Sequence, residues 1–148
     1  MSWRKLLDAG NVAAEPTSLA ELDNLRSIVK RCLKDAQVPG ISDEARFVLA
    51  YDAVRSLSVM LVRAAGYRPK KLGGHLNTFL ALREVDPVFT KLSAYFDSCR
   101  NKRNTSEYDY SGGVSAADAE ALFQAAQKFA VEAEDWLKVH HPALVASA

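Results

Sequence analysis

One stretch, "DEARFVLAYDAVRSLSVMLVRAAG" from Asp43 to Gly66, limits the folds open to this chain more than any other. Its length and its lack of proline fit a helix, and its apolar residues, from Phe47 through Val54, Leu57 and Leu61, occupy most of the circumference. A helix that is apolar nearly all round must be wrapped by other elements, so this segment is expected at the centre of a bundle. No run in the chain reaches the ~18 uninterrupted apolar residues of a membrane span, so no membrane association is expected.

Flanking segments supply the wrapping. Ser18 and Glu21 make a capping-box signature before a helix with Leu22, Leu25, Val29, Cys32, Leu33 and Ala36 on one face. Ser42 is placed to cap the central helix. A shorter helix carries Leu76, Phe79 and Leu80, and Asp86-Pro87 reads as cap and first residue of the next. That helix shows Val88, Leu92, Phe96 and Cys99 on one side. After "SGGV", Ser115 caps a last helix presenting Leu122, Ala125, Ala126, Phe129, Ala133, Trp136 and Leu137. No alternating run of strand type is seen, and "YRPKKLGG" reads as a loop. The expected fold is all-α, an up-down bundle of four principal helices plus one or two short ones, with Phe47, Val54, Leu57, Leu61, Leu92, Phe96, Leu122, Phe129 and Trp136 in the core.

At 148 residues the chain suits a single domain, with 1–17 a short lead-in and 141–148 a tail that frays. The formal net charge of +1 excludes a global field that draws the protein to nucleic acid, so any anion site must be a local patch. Cys32 and Cys99 lack metal or disulfide spacing. With no apolar leader at the start, a reduced, cytoplasmic protein is expected, and Asn104-Thr105-Ser106 is a coincidental glycosylation match. No cofactor or metal is implied.

Two basic clusters stand out. In "RNKRNTSEYDY", Arg100 to Tyr110, the face of Leu92 and Phe96 runs on into Arg100 and Arg103, which points to a groove or a subunit interface, whereas Lys102 is explained by the helix dipole. The second cluster, Arg63, Arg68, Lys70 and Lys71, contains no acidic residue. Together they can attract a phosphate backbone, with Tyr67, Tyr108 and Tyr110 available for stacking. Solvation of a helix end and a loop is the plainer reading of the same residues. His75, after two glycines, is either a phosphate contact or proton carrier, or a loop residue beside a helix start.

On "AYDAVRSLSVMLVRAAGYRPKKLGGH", "RNKRNTSEYDY" and "VSAADAEALFQAAQKFAVEAEDWL", the chain resembles the HEPN domain family of small helical bundles, over about Ser42 to Leu137. The resemblance implies a homodimer and a bacterial toxin–antitoxin or defence setting, with an antitoxin or nucleotidyltransferase partner. It places Arg103-Asn104 at the family's Arg-polar start and Tyr108 where ribonuclease members carry a histidine. Tyrosine, with a pKa near 10, is a poor general base, so the missing histidine argues against catalysis. Arg103, Asn104 and Tyr108 are then the candidate catalytic residues. Arg100, Arg103, Lys102, Arg68, Lys70, Lys71 and His75 are the candidate phosphate contacts. Tyr110 keeps the spacing of a tyrosine modified by a nucleotidyltransferase in part of the family.

The expected function is therefore a HEPN-like nucleotide- or RNA-binding protein with little or no nuclease activity. Two alternatives stay open: a metal-independent endoribonuclease using Arg103 with Tyr108 or His75, and a helical interaction module with no nucleic-acid role.

Overall fold

The computed structural model describes residues 2–71, 75–108 and 113–145, without the side chains of 105–108. The chain forms α1 (Trp3–Asp8), β1 (Val12–Ala14), α2 (Leu19–Asp35), α3 (Asp43–Ala64), β2 (Tyr67–Pro69), α4 (His75–Val85), α5 (Thr90–Tyr108) and α6 (Ala116–His140). It is an all-α bundle, and α3 is its centre, packing against α2, α4, α5 and α6. Phe47, Val54, Leu57 and Leu61 of α3 are buried, and so are Phe96, Leu122 and Phe129, while Leu92 and Trp136 pack at the margin of the core. Among the described residues no helix is long and apolar enough to cross a membrane.

The expected caps are made. The Ser18, Ser42 and Ser115 hydroxyls accept from the Glu21, Ala45 and Asp118 N–H groups. Only Ser115 forms a reciprocal capping box, with Asp118. At α2 the box is half made, because the Glu21 carboxylate turns to the Arg63 guanidinium, a charge-assisted partner stronger than the Ser18 N–H.

Two expectations are corrected. Val88 is 66 % exposed and Phe89 is buried in its place. Pro87–Phe89 is a 3-10 turn ahead of α5, and its tighter winding rotates Val88 out of the stripe. Asp86 fixes that turn, accepting from the Val88 N–H at 3.0 Å and from Trp136 Nε1 at 3.0 Å. The segment after α3 is also more than a loop. Tyr67–Pro69 pairs antiparallel with Val12–Ala14, Val12 lying opposite Pro69. Three-residue strands are too short to show an alternating pattern. Gly66, at φ 98°, makes the left-handed turn that ends α3 and starts β2.

The lead-in is thereby docked. Leu6 and Val12 form a second small core with Val62 and Ala81, and the Trp3 ring stacks on Tyr67 at 4.1 Å. At the other end, Leu144 packs on the main core and its carbonyl accepts from Arg26 Nη2.

The join between lead-in and bundle is electrostatic. Arg63, 3 % exposed, reaches out from the last turn of α3. It donates to both Glu21 oxygens, to Glu15 at 3.4 Å, and to the Pro16 and Tyr67 carbonyls at 3.1 and 3.4 Å. The guanidinium holds the Glu21 carboxyl below its usual pKa. Removing one partner of a buried ion pair costs about 3–5 kcal/mol. Glu15 and Glu21 are partly exposed and can rehydrate, so Arg63→Ala should cost less, about 2–3 kcal/mol. Urea unfolding monitored by circular dichroism will show it as a lower midpoint, with Arg63→Lys falling between the two.

Candidate functional site

Beside the docked lead-in, a groove of ≈ 440 Å³ opens between α3, β2 and the start of α4. Its wall is made by Arg55, Arg68, Lys70, Lys71 and His75, with Val59, Pro69 and Thr78 between them. Among the described residues no carboxylate lines it. The groove is therefore a local positive patch on a nearly neutral protein, and a low-dielectric wall strengthens its field.

The backbone of that wall is fixed by buried amides. Asn77, 1 % exposed, donates to the Lys70 carbonyl at 3.0 Å and accepts from Asn11 Nδ2 at 2.9 Å. The Lys70 N–H in turn donates to the Asn11 carbonyl at 2.9 Å. Lys70 and Lys71 project from a held segment, and both side chains are exposed. Arg55 comes from α3, where its Nε is buried and makes no hydrogen bond among the described residues. Arg68 is half-exposed and donates to Glu15 at 2.6 Å.

His75 occupies the inner end. Its Nδ1 lies 2.8 Å from the hydroxyl of Tyr51, a fully buried α3 residue. Burial pushes the Tyr51 pKa up despite Arg103, Arg55 and Arg100 nearby, so the phenol keeps its proton. With no other acceptor among the described residues, it donates to Nδ1 and leaves the imidazole proton on Nε2. Burial, reinforced by the charges of Arg55, Arg103 and Arg100, lowers the His75 pKa to about 4. The ring is neutral at pH 7.

The arginines of α5 reach the back of this assembly. Arg103 continues the buried face of Phe96 and Cys99, and its guanidinium lies over the Tyr51 ring at 5.5 Å, within cation–π range. The arginine end of the apolar stripe thus meets an aromatic of the same chain. Arg100 pairs with Asp97 at 2.8 Å. Lys102 bonds Asp118 at 2.8 Å, tying α5 to the cap of α6 and holding the Asp118 carboxyl low. Asn104 is exposed. The side chain of Tyr108 and the whole of Tyr110 lie outside the described residues.

The candidates from sequence therefore separate. Arg68, Lys70, Lys71 and His75 meet in the groove, Arg103 and Arg100 support it electrostatically from behind, and Lys102 is engaged elsewhere. Arg63, read with the basic cluster, is consumed by Glu15 and Glu21. Tyr51 and Arg55 were missed. Their i,i+4 spacing on the central helix is the one local signal, and only the placement of α4 gives it meaning. The chain matches no protein-family model, no curated protein and no solved structure.

The His75 shift fixes a pH dependence. Between about pH 4 and 6.5 the unfolded chain binds a proton at His75 that the folded chain refuses, so this contribution to stability falls as pH drops through that window. His75→Asn removes it. The stability of wild type relative to this variant, from urea midpoints at pH 7 and pH 5, should drop at pH 5. The other acid-sensitive groups, His141 included, cancel in the comparison.

Proposed function

We propose that the protein binds phosphate groups of RNA or of a nucleotide in the groove between α3, β2 and α4. The observation that carries this reading is the groove's lining: Arg55, Arg68, Lys70, Lys71 and His75 converge with no carboxylate among the described lining residues. Basic side chains spread for solvation are ordinarily interleaved with acids. Here Arg55, Lys70 and Lys71 line one groove with no acid among the described lining residues, Arg68 alone has a carboxylate, Glu15, at the edge, and a bound anion offsets the remaining positive charge. Neutral His75 adds an Nε2–H donor suited to a phosphate oxygen.

The HEPN resemblance supplies the setting of the proposal: a non-catalytic or weakly catalytic helical protein, working as a homodimer beside a toxin–antitoxin or defence partner. In that reading Arg103 serves by fixing Tyr51 and charging the groove from behind. A labelled single-stranded oligouridylate, followed by fluorescence anisotropy over a salt series, tests the core of it. Each phosphate contact contributes about 0.7 to the log–log salt slope, so joint replacement of Lys70 and Lys71 by Gln should flatten it by about 1.4. An unchanged slope would remove the groove from the binding surface. Arg103→Ala should weaken binding less than the lysine pair.

One observation favours a second reading, a metal-independent endoribonuclease. His75 is neutral, oriented by Tyr51 and next to Arg55; this reading requires the opposite tautomer, in which Nδ1–H donates to the Tyr51 hydroxyl and the Nε2 lone pair is the base. In EDTA, such an enzyme would cut single-stranded RNA to leave 2′,3′-cyclic ends. General base catalysis is worth ~10²–10⁴-fold, so His75→Ala should lower the rate by that order. Intact RNA after prolonged incubation with folded protein would leave the binding reading alone.

A further inference from the structure

Glu15 stands at the edge of the groove and bonds one of its cations. Its backbone is held in place by β1: the Glu15 N–H donates to the Gly66 carbonyl at 3.0 Å, just beyond the Ala14–Tyr67 pair of the two strands. Its carboxylate bridges two guanidiniums, accepting from Arg68 Nε at 2.6 Å and from Arg63 Nη2 at 3.4 Å. Arg63 is buried and has Glu21 as a second carboxylate, so it stays satisfied without Glu15. Arg68 is different. It is 43 % exposed, it lines the groove, and Glu15 is its one ion-pair partner among the described residues.

We propose that Glu15 is the specificity-determining residue of the groove: an internal carboxylate that occupies Arg68, so that only a ligand more strongly anionic than a carboxylate, a terminal phosphate or polyphosphate group, recruits that arginine. The inference rests on the phosphate-binding reading given above. A ligand carboxylate has the same charge as Glu15, but it must also give up its freedom in solution, so it cannot displace the tethered group. A phosphate oxygen cluster carries more charge and adds contacts to Lys70, Lys71 and the His75 donor. It can hold Arg68 while Glu15 remains on Arg63. Discrimination then comes from the ligand's charge, and the ligand's apolar part contributes little to it.

The test uses the full chain and four forms: wild type, Glu15→Gln, Arg68→Gln and the double variant. Glutamine keeps the shape and one acceptor oxygen while removing the charge, and thermal unfolding confirms that each form is folded. The probe is the labelled oligouridylate over a salt series, with displacement by sodium acetate and by sodium pyrophosphate. Each phosphodiester of the oligouridylate carries one charge, no more than a carboxylate, so in wild type Arg68 stays on Glu15; freeing it for one more phosphate steepens the salt slope by about 0.7, equivalent to about eight-fold tighter binding at about 50 mM salt. That gain should appear in Glu15→Gln and vanish in the double variant, and the advantage of pyrophosphate over acetate should narrow in Glu15→Gln. An equal gain with and without Arg68 would mean a general field effect and overturn the proposal, as would an unchanged acetate-to-pyrophosphate gap. If no form binds the oligouridylate with any salt dependence, the groove reading itself fails. Binding in wild type that Glu15→Gln leaves unmoved sinks the Glu15 proposal alone.

Discussion

The buried guanidinium of Arg63 is the interaction on which the rest of the arrangement depends. A cation at 3 % exposure on the central helix is tolerable only with its donors engaged, and the engagement draws in Glu15, Pro16, Glu21 and Tyr67 from three separate pieces of chain. Satisfying one charge thus fixes where the lead-in lies, how α2 enters, and where β2 leaves α3. The groove is a by-product of that geometry. With Glu21 drawn to Arg63 and Glu15 shared between Arg63 and Arg68, no acid joins Lys70 and Lys71 in the described lining of the groove.

Behind the groove, polar groups are layered rather than scattered. Tyr51 holds the His75 ring, Arg103 lies on the Tyr51 face, and Phe79 meets the same tyrosine edge-on at 6.0 Å. Each group restricts the next, so the imidazole is oriented by packing that starts in the core. This is the kind of support a binding side chain needs if its donor is to be presented at low entropic cost.

Local chemistry was legible in the sequence and tertiary chemistry was not. The caps at Ser18, Ser42 and Ser115, and the all-round apolar character of α3, depend on residues a few positions apart, and they appear as read, save that the Glu21 half of the Ser18 box goes to Arg63. The outward turn of Val88 depends on Trp136 holding Asp86 from the far end of the chain. Arg63 looked like part of a free basic cluster because its carboxylates lie 42 and 48 residues upstream. Tyr51 and Arg55 were invisible for the opposite reason: on a helix wrapped on all sides, nothing in the periodicity distinguishes a side chain that faces α4 and the groove. Four of the groove's residues, Arg68, Lys70, Lys71 and His75, were nonetheless legible as a cluster, because they lie within eight positions of one another in sequence.

The small sheet has a consequence for local unfolding. Its two strands are three residues each, and the lead-in is held by a small apolar contact at Leu6, Val12 and the Trp3–Tyr67 stack, by the Asn11 bonds to Asn77 and Lys70, and by the Arg63 and Arg68 contacts to Glu15 and Pro16. Such a unit opens at far lower free energy than the wrapped central helix, and its amides will exchange with solvent first. Arg63 would keep Glu21 through such an opening, whereas Arg68 would lose Glu15. Brief detachment of the first fifteen or so residues therefore changes the charge of the groove without disturbing the bundle, and whatever holds or peels that segment sets how the groove meets an anion.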